Sequence, residues 1–540
     1  MKKTTSVFMI SIIIAIAFIS WGVLLPNNLE TVTSTVQGFL TGQLGWFYLL
    51  AATFFVAFSI YLIFSPYGKI KLGKPDEKPQ YSFLTWFAFL FTAGMGIGLV
   101  FWGAAEPISH LNTPFRADPG TNQAAAEAIQ YSIFHWGIHP WAIYSVVALC
   151  LAYFQFRKDE PAMFSSTLRP LLGNRVDGGF GTTINVFVVI ATIFGVATSL
   201  GFGAAQISGG LGFLFPSILN IHPTVLNLIV IVIVTILFSI SALTGIDKGI
   251  RYLSNMNVYL AIALMLFVLL TGSTAYMMGV FTQGVGNYLQ NFINMSFSLD
   301  IYNSENTWIQ DWTLFYWAWW ISWSPFVGSF IARVSRGRTI REFIIGVIAV
   351  PALFGALWFS VFGGAGIQLE RIGSGIGDLI ASSGEEVALF ALLEQFPLTM
   401  FVSIVALVLI GSFFVTSADS ATVVLGMQTT GGMLNPPNVV KLVWGLIISG
   451  TAAVLLTSEQ GLTALQTTAI IGAFPFTFIM IMMVVALMKS LGDEKPLLAQ
   501  DKERLRQERA RLKSEQNSLK EDKEKFRKAK IDSLKKKDKE

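Results

Sequence analysis

Six of the fourteen tryptophans in this 540-residue sequence fall between residues 308 and 323. Most belong to the run Trp317-Ala318-Trp319-Trp320-Ile321-Ser322-Trp323-Ser324-Pro325-Phe326. The stretch is apolar enough for a membrane helix, where Leu, Ile and Val would supply bulk more simply. Tryptophan ordinarily collects in belts at the two water interfaces of a span; here the indoles continue toward the middle. A face of indole at that depth offers π-density to a cation with no N–H to donate, the way quaternary ammonium groups are recognised. The competing use is an interfacial belt combined with bulky helix packing, and the density of the run argues for the first.

A second aromatic group, Trp136, Trp141 and Tyr144, lies in another apolar stretch. On one helix, at about 100° per residue, the three stand at 0°, about 140° and about 80°. One broad face would then carry all of them, and with Trp320 or Trp323 it suffices for an aromatic cage. Oxygen ligands concentrate at Thr416-Ser417-Ala418-Asp419. Such hydroxyls, with carbonyls freed from an unwound helix, hold a small monovalent cation. Singly, Ser and Thr in membrane helices more often bond back to a carbonyl of their own helix, and Thr192 is a further hydroxyl open to both uses. Glycines recur at alternate positions in Gly94-Met95-Gly96-Ile97-Gly98. At about 1 kcal/mol each against helix they favour unwinding, which survives in a membrane only where the backbone lines a cavity or is buried in protein. Close helix packing is their other use.

Other chemistry is missing. No Gly-x-x-x-x-Gly-Lys-Ser/Thr loop occurs, so this chain is not expected to hydrolyse ATP. His110, His135, His139 and His222 have no cysteine partners. His135 and His139 are expected beside the aromatic face without a nearby acid, so no resident metal and no organic cofactor are expected. The lone Cys150 excludes an internal disulfide. Nucleic acid is not an expected partner, and neither is catalysis of a reaction.

A bundle of membrane helices must position these residues. The chain is 53% hydrophobic and 13% charged, with mean hydropathy +0.60; soluble domains carry about a quarter charged residues. Apolar stretches long enough to span fall at 5–25, 46–66, 82–105, 128–156, 182–215, 224–244, 252–272, 308–332, 340–363, 398–424, 441–458 and 463–488, twelve in all. The first is read as a helix and not as a cleaved signal, because it is long and lacks a small-x-small site. Lys2, Lys3, Lys69, Lys71, Lys74, Lys78, Arg157, Lys158, Arg169, Arg175, Lys248, Arg251, Arg333, Arg336, Arg338, Arg341 and Lys489 then share one side, while 276–307 has no Lys or Arg. Both termini are therefore expected in the cytoplasm of a multi-pass plasma-membrane protein. The loop 276–307, with Tyr288, Phe292, Ile293 and Phe297, predicts an amphipathic helix at the outer interface.

Spans three and eight are expected to be interrupted, the first by its glycines and the second by Ser322, Ser324 and Pro325. If spans 3–7 and 8–12 are two inverted repeats, both interrupted helices open their repeat, a pattern that marks a transporter's substrate site. This gives three regions: two helices within 1–81, a core of two repeats over 82–490, and a charged tail over 491–540. Residues 493–540 hold 17 basic and 12 acidic side chains. Leu491, Leu498, Leu505, Leu512, Leu519 and Phe526 recur every seven residues, one thin stripe that is too little for a self-sufficient coiled coil. The tail reads as a solvated helix or as a cytoplasmic segment meeting anionic lipid or a neighbouring subunit in a salt-dependent way.

These motifs resemble one family, the betaine/carnitine/choline transporters, over about residues 1–490. The resemblance rests on Gly94–Gly98 leading to Ala105-Glu106-Pro107, on the Trp136/Trp141/Tyr144 spacing and on the tryptophan run through Gly328. It rests also on Arg336-Gly337-Arg338-Thr339-Ile340-Arg341-Glu342-Phe343 and Val415-Thr416-Ser417-Ala418-Asp419-Ser420. It implies an all-α membrane protein of twelve helices with a leucine-transporter-like fold, a homotrimer, and sodium-driven uptake of trimethylammonium osmolytes such as glycine betaine. It places the ammonium cage at Trp136, Trp141, Tyr144 and Trp320, with Trp319 and Trp323 along the pathway. The segment with Ala93, Met95, Gly96 and Gly98 would receive the substrate's carboxylate. One sodium site would use Thr92, Met95, Phe413, Thr416 and Ser417; a second, Thr192 and the region of Phe326. A two-sodium member would carry a second threonine one turn after Thr192, where this chain has Val196. Sodium-independent exchangers replace the ion by an arginine; spans three, five and ten here contain no Lys or Arg, which favours sodium. An exchanger of carnitine-type substrates, a choline importer and a membrane sensor are the alternatives.

Overall fold

The computed structural model describes residues 5–94, 96–244, 247–303, 305–458, 461–494, 507 and 511–528; at 91–94, 219, 241–244 and 247–251 it describes the backbone. Every regular element among them is helical. The chain opens with α1 (Ser6–Leu24) and α2 (Pro26–Phe64), the latter starting twenty residues before the apolar stretch expected at 46. There follow α3 (Phe83–Gly94), α4 (Ile97–Asn112), α5 (Asn122–Trp136), α6 (Ile138–Ala152), α7 (Gly179–Leu214), α8 (Pro223–Thr244), α9 (Asp247–Thr271) and α10 (Thr274–Phe297). The second half holds α11 (Phe315–Val334), α12 (Ile340–Arg371), α13 (Thr399–Thr429), α14 (Asn438–Leu456) and α15 (Leu462–Gly492). Ten helical segments among the described residues are long and apolar enough to cross a membrane; the stretches 82–105 and 308–332 are the two that do not qualify. Outward-facing Ile13, Ile16, Val232, Ile236 and Phe401 are exposed, as lipid-facing side chains are. The apolar loop after 276 is largely the helix α10, as its pattern predicts.

The interruptions follow the sequence in one place and depart from it in two. Stretch 82–105 does break: α3 ends at Gly94, and Gly96 is extended (φ −146°, ψ −163°) before α4 begins. Stretch 308–332 does not break where expected. A wide π turn at Ile309–Leu314 leads into α11, which runs through Ser322, Ser324 and Pro325 without interruption. The Ser324 hydroxyl donates to the Ile321 carbonyl (2.8 Å) and Ser329 to the Pro325 carbonyl (2.6 Å), so these side chains support the turns around the proline. Gly195 of α7 lies against this stretch so closely that a Cβ there would stand 2.7 Å from the Ser322 carbonyl carbon.

The unexpected break is in stretch 128–156. It divides at Gly137 into α5 and α6, and the freed Ile138 N–H donates to the Tyr288 hydroxyl of α10 (3.1 Å). Trp136 and Trp141 therefore belong to different helices, and a single helical wheel does not describe them. The basic loops do converge. Leu72 N donates to Arg338 O (2.8 Å), Gly337 N to Leu72 O (2.7 Å) and Ile340 N to Ile70 O (2.8 Å). Lys74 pairs with Asp159, and Arg336 with Glu77. The loops at 65–82, 157–160 and 335–342 thus share one face. In the tail, 511–528 is an exposed helix carrying Leu512, Leu519 and Phe526; Leu498 and Leu505 lie outside the described residues.

Candidate functional site: an aromatic enclosure

The break at Gly137 turns two helix ends toward α11. Trp136 closes α5, Trp141 and Tyr144 occupy the first two turns of α6, and α11 presents Trp319, Trp320 and Trp323. All six are buried. Trp136 meets Trp320 edge to face (centroids 4.8 Å, 76°) and Trp319 at 6.2 Å and 88°. Tyr144 stands 6.0 Å from Trp320 at 80° and 6.2 Å from Trp323. Trp141 touches Tyr144 at 5.5 Å and 82°. Trp319 and Trp320 stack at 4.7 Å and 16°. Edge-to-face pairs of this kind are a favourable packing of aromatic rings, and indole and phenol faces gathered at one place are what a quaternary ammonium group is recognised by.

The glycine segment forms the adjoining wall. A Cβ at Gly98 would stand 2.7 Å from the Trp319 ring and 3.0 Å from Trp136; one at Gly96 would be 3.8 Å from Trp323. At Gly98 only a residue without Cβ lets the backbone come so near the indoles, whereas Gly96 has room for one. Thr92 and Ala93 are described by backbone alone, and Met95 lies outside the described residues. Three donors of the enclosure, Trp319 Nε1, Trp323 Nε1 and Tyr144 Oη, are buried and find no hydrogen-bond partner among the described residues. Buried donors are rarely left so, and an acceptor-bearing ligand would satisfy them.

Behind the cage lies an acid that the histidines were not expected to have. Glu106 of α4, fully buried, accepts from His135 Nδ1 (2.7 Å), His110 Nε2 (3.2 Å), Trp136 Nε1 (2.8 Å) and Tyr316 Oη (2.6 Å). Glu106, His110 and His135 each offer an atom within 4.8 Å of the others, the spacing of a three-ligand metal cluster. All four acceptor positions of the carboxylate are met by N–H and O–H donors, so the arrangement is complete as a hydrogen-bond network. Glu106 and His135 are 29 positions apart and lie on different helices, and no spacing rule links them.

The oxygen ligands are arranged differently. Thr416 Oγ1 donates toward the Ser412 and Phe413 carbonyls (3.0 and 3.2 Å) and accepts from Asn257 Nδ2 of α9 (3.2 Å). Ser412 Oγ donates to Asn257 Oδ1. Thr192 Oγ1 donates to Val188 O (2.7 Å), with Val196 buried one turn on. Phe413 and Phe326 are buried and Ser417 is partly buried. α13 is continuous from Thr399 to Thr429, so its carbonyls near Phe413 remain in helical geometry.

Comparison with known proteins decides what the enclosure belongs to. The betaine/carnitine/choline family transporter description matches residues 6–496. The chain belongs to the BCCT family. It is 54% identical over 498 residues to the glycine betaine transporter OpuD of Bacillus subtilis, covering 92% of this chain and 96% of that one. It is 42% identical to a probable glycine betaine transporter of Desulfitobacterium hafniense, over 92% and 99% of the two chains. It is also 42% identical to an ectoine/hydroxyectoine transporter of Virgibacillus pantothenticus, over 93% and 100%. This BCCT protein is thus an all-α, multi-pass membrane transporter and not an enzyme.

Proposed function

We propose that this BCCT transporter imports glycine betaine or a close trimethylammonium relative, driven by sodium. The observation that carries the reading is the enclosure itself, perpendicular indoles from α5, α6 and α11 around buried donors that await an acceptor. The trimethylammonium group would sit between Trp136, Trp141, Tyr144 and Trp320, and the carboxylate would meet the glycine segment and the free N–H of Trp323. A zwitterion uses both ends of such a site; choline, lacking the carboxylate, leaves those donors unpaired, at roughly 1–3 kcal/mol each. Sodium would be held by backbone near Thr92 and Met95 with Thr416 and Ser417, and Val196 favours a single ion over two. The apolar stretches and the charge distribution of the sequence favour twelve spans and cytoplasmic termini in the plasma membrane, and the family resemblance implies two inverted repeats and a homotrimer. The 29 charges of residues 493–540 favour regulation by contact with anionic lipid as cytoplasmic salt rises. The test is uptake of labelled glycine betaine, choline, carnitine, proline betaine and ectoine into proteoliposomes, with and without a sodium gradient. Betaine accumulation that collapses without sodium is the expected outcome; uptake that persists without sodium would make the protein an exchanger.

A further inference from the structure

Glu106 stands in Ala105-Glu106-Pro107, on α4, the helix that starts within the glycine segment. Its side chain is completely removed from solvent. An anion in such a place is costly unless hydrogen bonds replace its water. Here Oε1 takes the His135 and His110 N–H groups, and Oε2 takes those of the Trp136 indole and the Tyr316 hydroxyl. With both imidazoles in the tautomer that donates to Glu106, all four groups point their hydrogens at an ionised carboxylate. His110 Nδ1 has no partner among the described residues, which fits a neutral ring donating through Nε2.

What the donors do next matters more. Trp136 is a wall of the cage and receives its orientation from Glu106 directly. Trp320, the facing wall, donates through Nε1 to the carbonyl of His135 (2.9 Å) and stacks on Tyr316 (5.9 Å, 24°). His135 in turn stacks on Tyr316 at 4.7 Å and 23°. The carboxylate therefore reaches one indole in one step and the other in two steps by two routes. It also leaves a negative charge behind the rings that face the ammonium group, in surroundings of low dielectric where charges are weakly screened.

We propose that Glu106 is the positioning and charge-setting residue of the cage, fixing Trp136 directly and Trp320 through His135 and Tyr316, and selecting a quaternary ammonium over an uncharged group of the same shape. The proposal rests on reading the enclosure as the trimethylammonium site. The probe pair is glycine betaine and 3,3-dimethylbutanoate, which keeps the shape and the carboxylate but replaces the cationic nitrogen by carbon. Equilibrium binding of both is measured on the detergent-purified full chain, for wild type, Glu106→Gln, Glu106→Asp and Tyr316→Phe. In Glu106→Gln the preference for betaine over the isostere should fall about tenfold, while Glu106→Asp restores most of it. A merely structural role would weaken both ligands alike and leave the ratio unchanged, which overturns the proposal. Should Glu106→Gln not fold, Tyr316→Phe carries the test. It keeps the ring and the stack while removing one donor, and should raise the betaine Kd threefold or more; an unaltered Kd overturns the positioning route. A wild type that binds neither probe would instead remove the reading of the cage.

Discussion

The aromatic enclosure and the hydroxyl-bearing stretch of α13 sit in the same bundle and are built on opposite plans. In the enclosure, side chains from three helices meet one another across the gap. Two indoles are pinned by their N–H groups, and three further donors stand unpaired. Along 412–417 of α13, hydroxyls turn back onto their own helix or onto Asn257. The first region is preorganised for a ligand. In the second, the Ser412 and Thr416 hydroxyls already have partners, and on the proposed reading Thr416 would reach an ion only after exchanging them. On the proposed reading, substrate affinity would be set by the rings, and ion affinity by a rearrangement whose cost is subtracted from binding.

The largest effect should come from the rigid side. Trp320→Leu removes the indole that meets Trp136 edge to face and stands 6.0 Å from Tyr144. A desolvated cation–π contact is worth up to about 2 kcal/mol, so the apparent KM for betaine should rise tenfold or more, with the sodium dependence of uptake unchanged. Measured as uptake against betaine concentration at saturating sodium, an unchanged KM would break the comparison at its first member.

A smaller effect is expected on α13. Thr416→Ala combined with Ser417→Ala should raise the half-saturating sodium concentration roughly fivefold, the worth of a hydrogen-bond-scale ligand of about 1 kcal/mol. Betaine KM at saturating sodium should move little. Asn257→Ala, which leaves both hydroxyls in place and removes the competing partner of Thr416, should leave the sodium requirement equal or lower. Sodium titrations that superimpose for the double variant and wild type would place the ion elsewhere.

How much of this was legible in the sequence follows the same division. The tryptophan run, Trp136, Trp141 and Tyr144 announced themselves because a cluster of one rare residue type survives ignorance of the fold, and the glycines announced the break between α3 and α4. What was not legible depends on distant partners. The break at Gly137 is held by Tyr288, and Pro325 does not break α11 because Ser324, Ser329 and the flat face at Gly195 support it. The break at Gly137 obeys a contact made far along the chain, while α11 is supported by hydroxyl bonds within its own turns and by the close approach of Gly195, and neither follows residue propensity alone. Glu106 was quoted as part of a motif, yet its four donors come from four positions on three helical segments, α4, α5 and α11.

The loop between α12 and α13 extends the comparison to a second acid and carries the smallest predicted effect. Glu385, in the turn Glu385–Val387 after the short helix Ile376–Ser383, differs from Glu106 in having a like charge for a neighbour. Burial, and then the adjacent Glu386 carboxylate, push its carboxyl up to about 7 from the ordinary range. An acid raised in the folded state favours its packed, protonated form, so the contribution to loop stability is complete below the usual carboxylate range and is lost as pH climbs toward and through about 7. Between pH 6 and 8 linkage allows at most about a tenfold change in the opening equilibrium; the group is partly exposed, and screening should reduce this to about threefold. Hydrogen exchange of 376–394, corrected for the intrinsic rate, should therefore speed up over that interval in wild type and stay flat in Glu385→Gln. Betaine KM should follow the same profile only if this loop governs entry to the enclosure. Equal exchange at both pH values in wild type would show that Glu385 titrates as a solvated carboxylate, unlike Glu106 with its four donors.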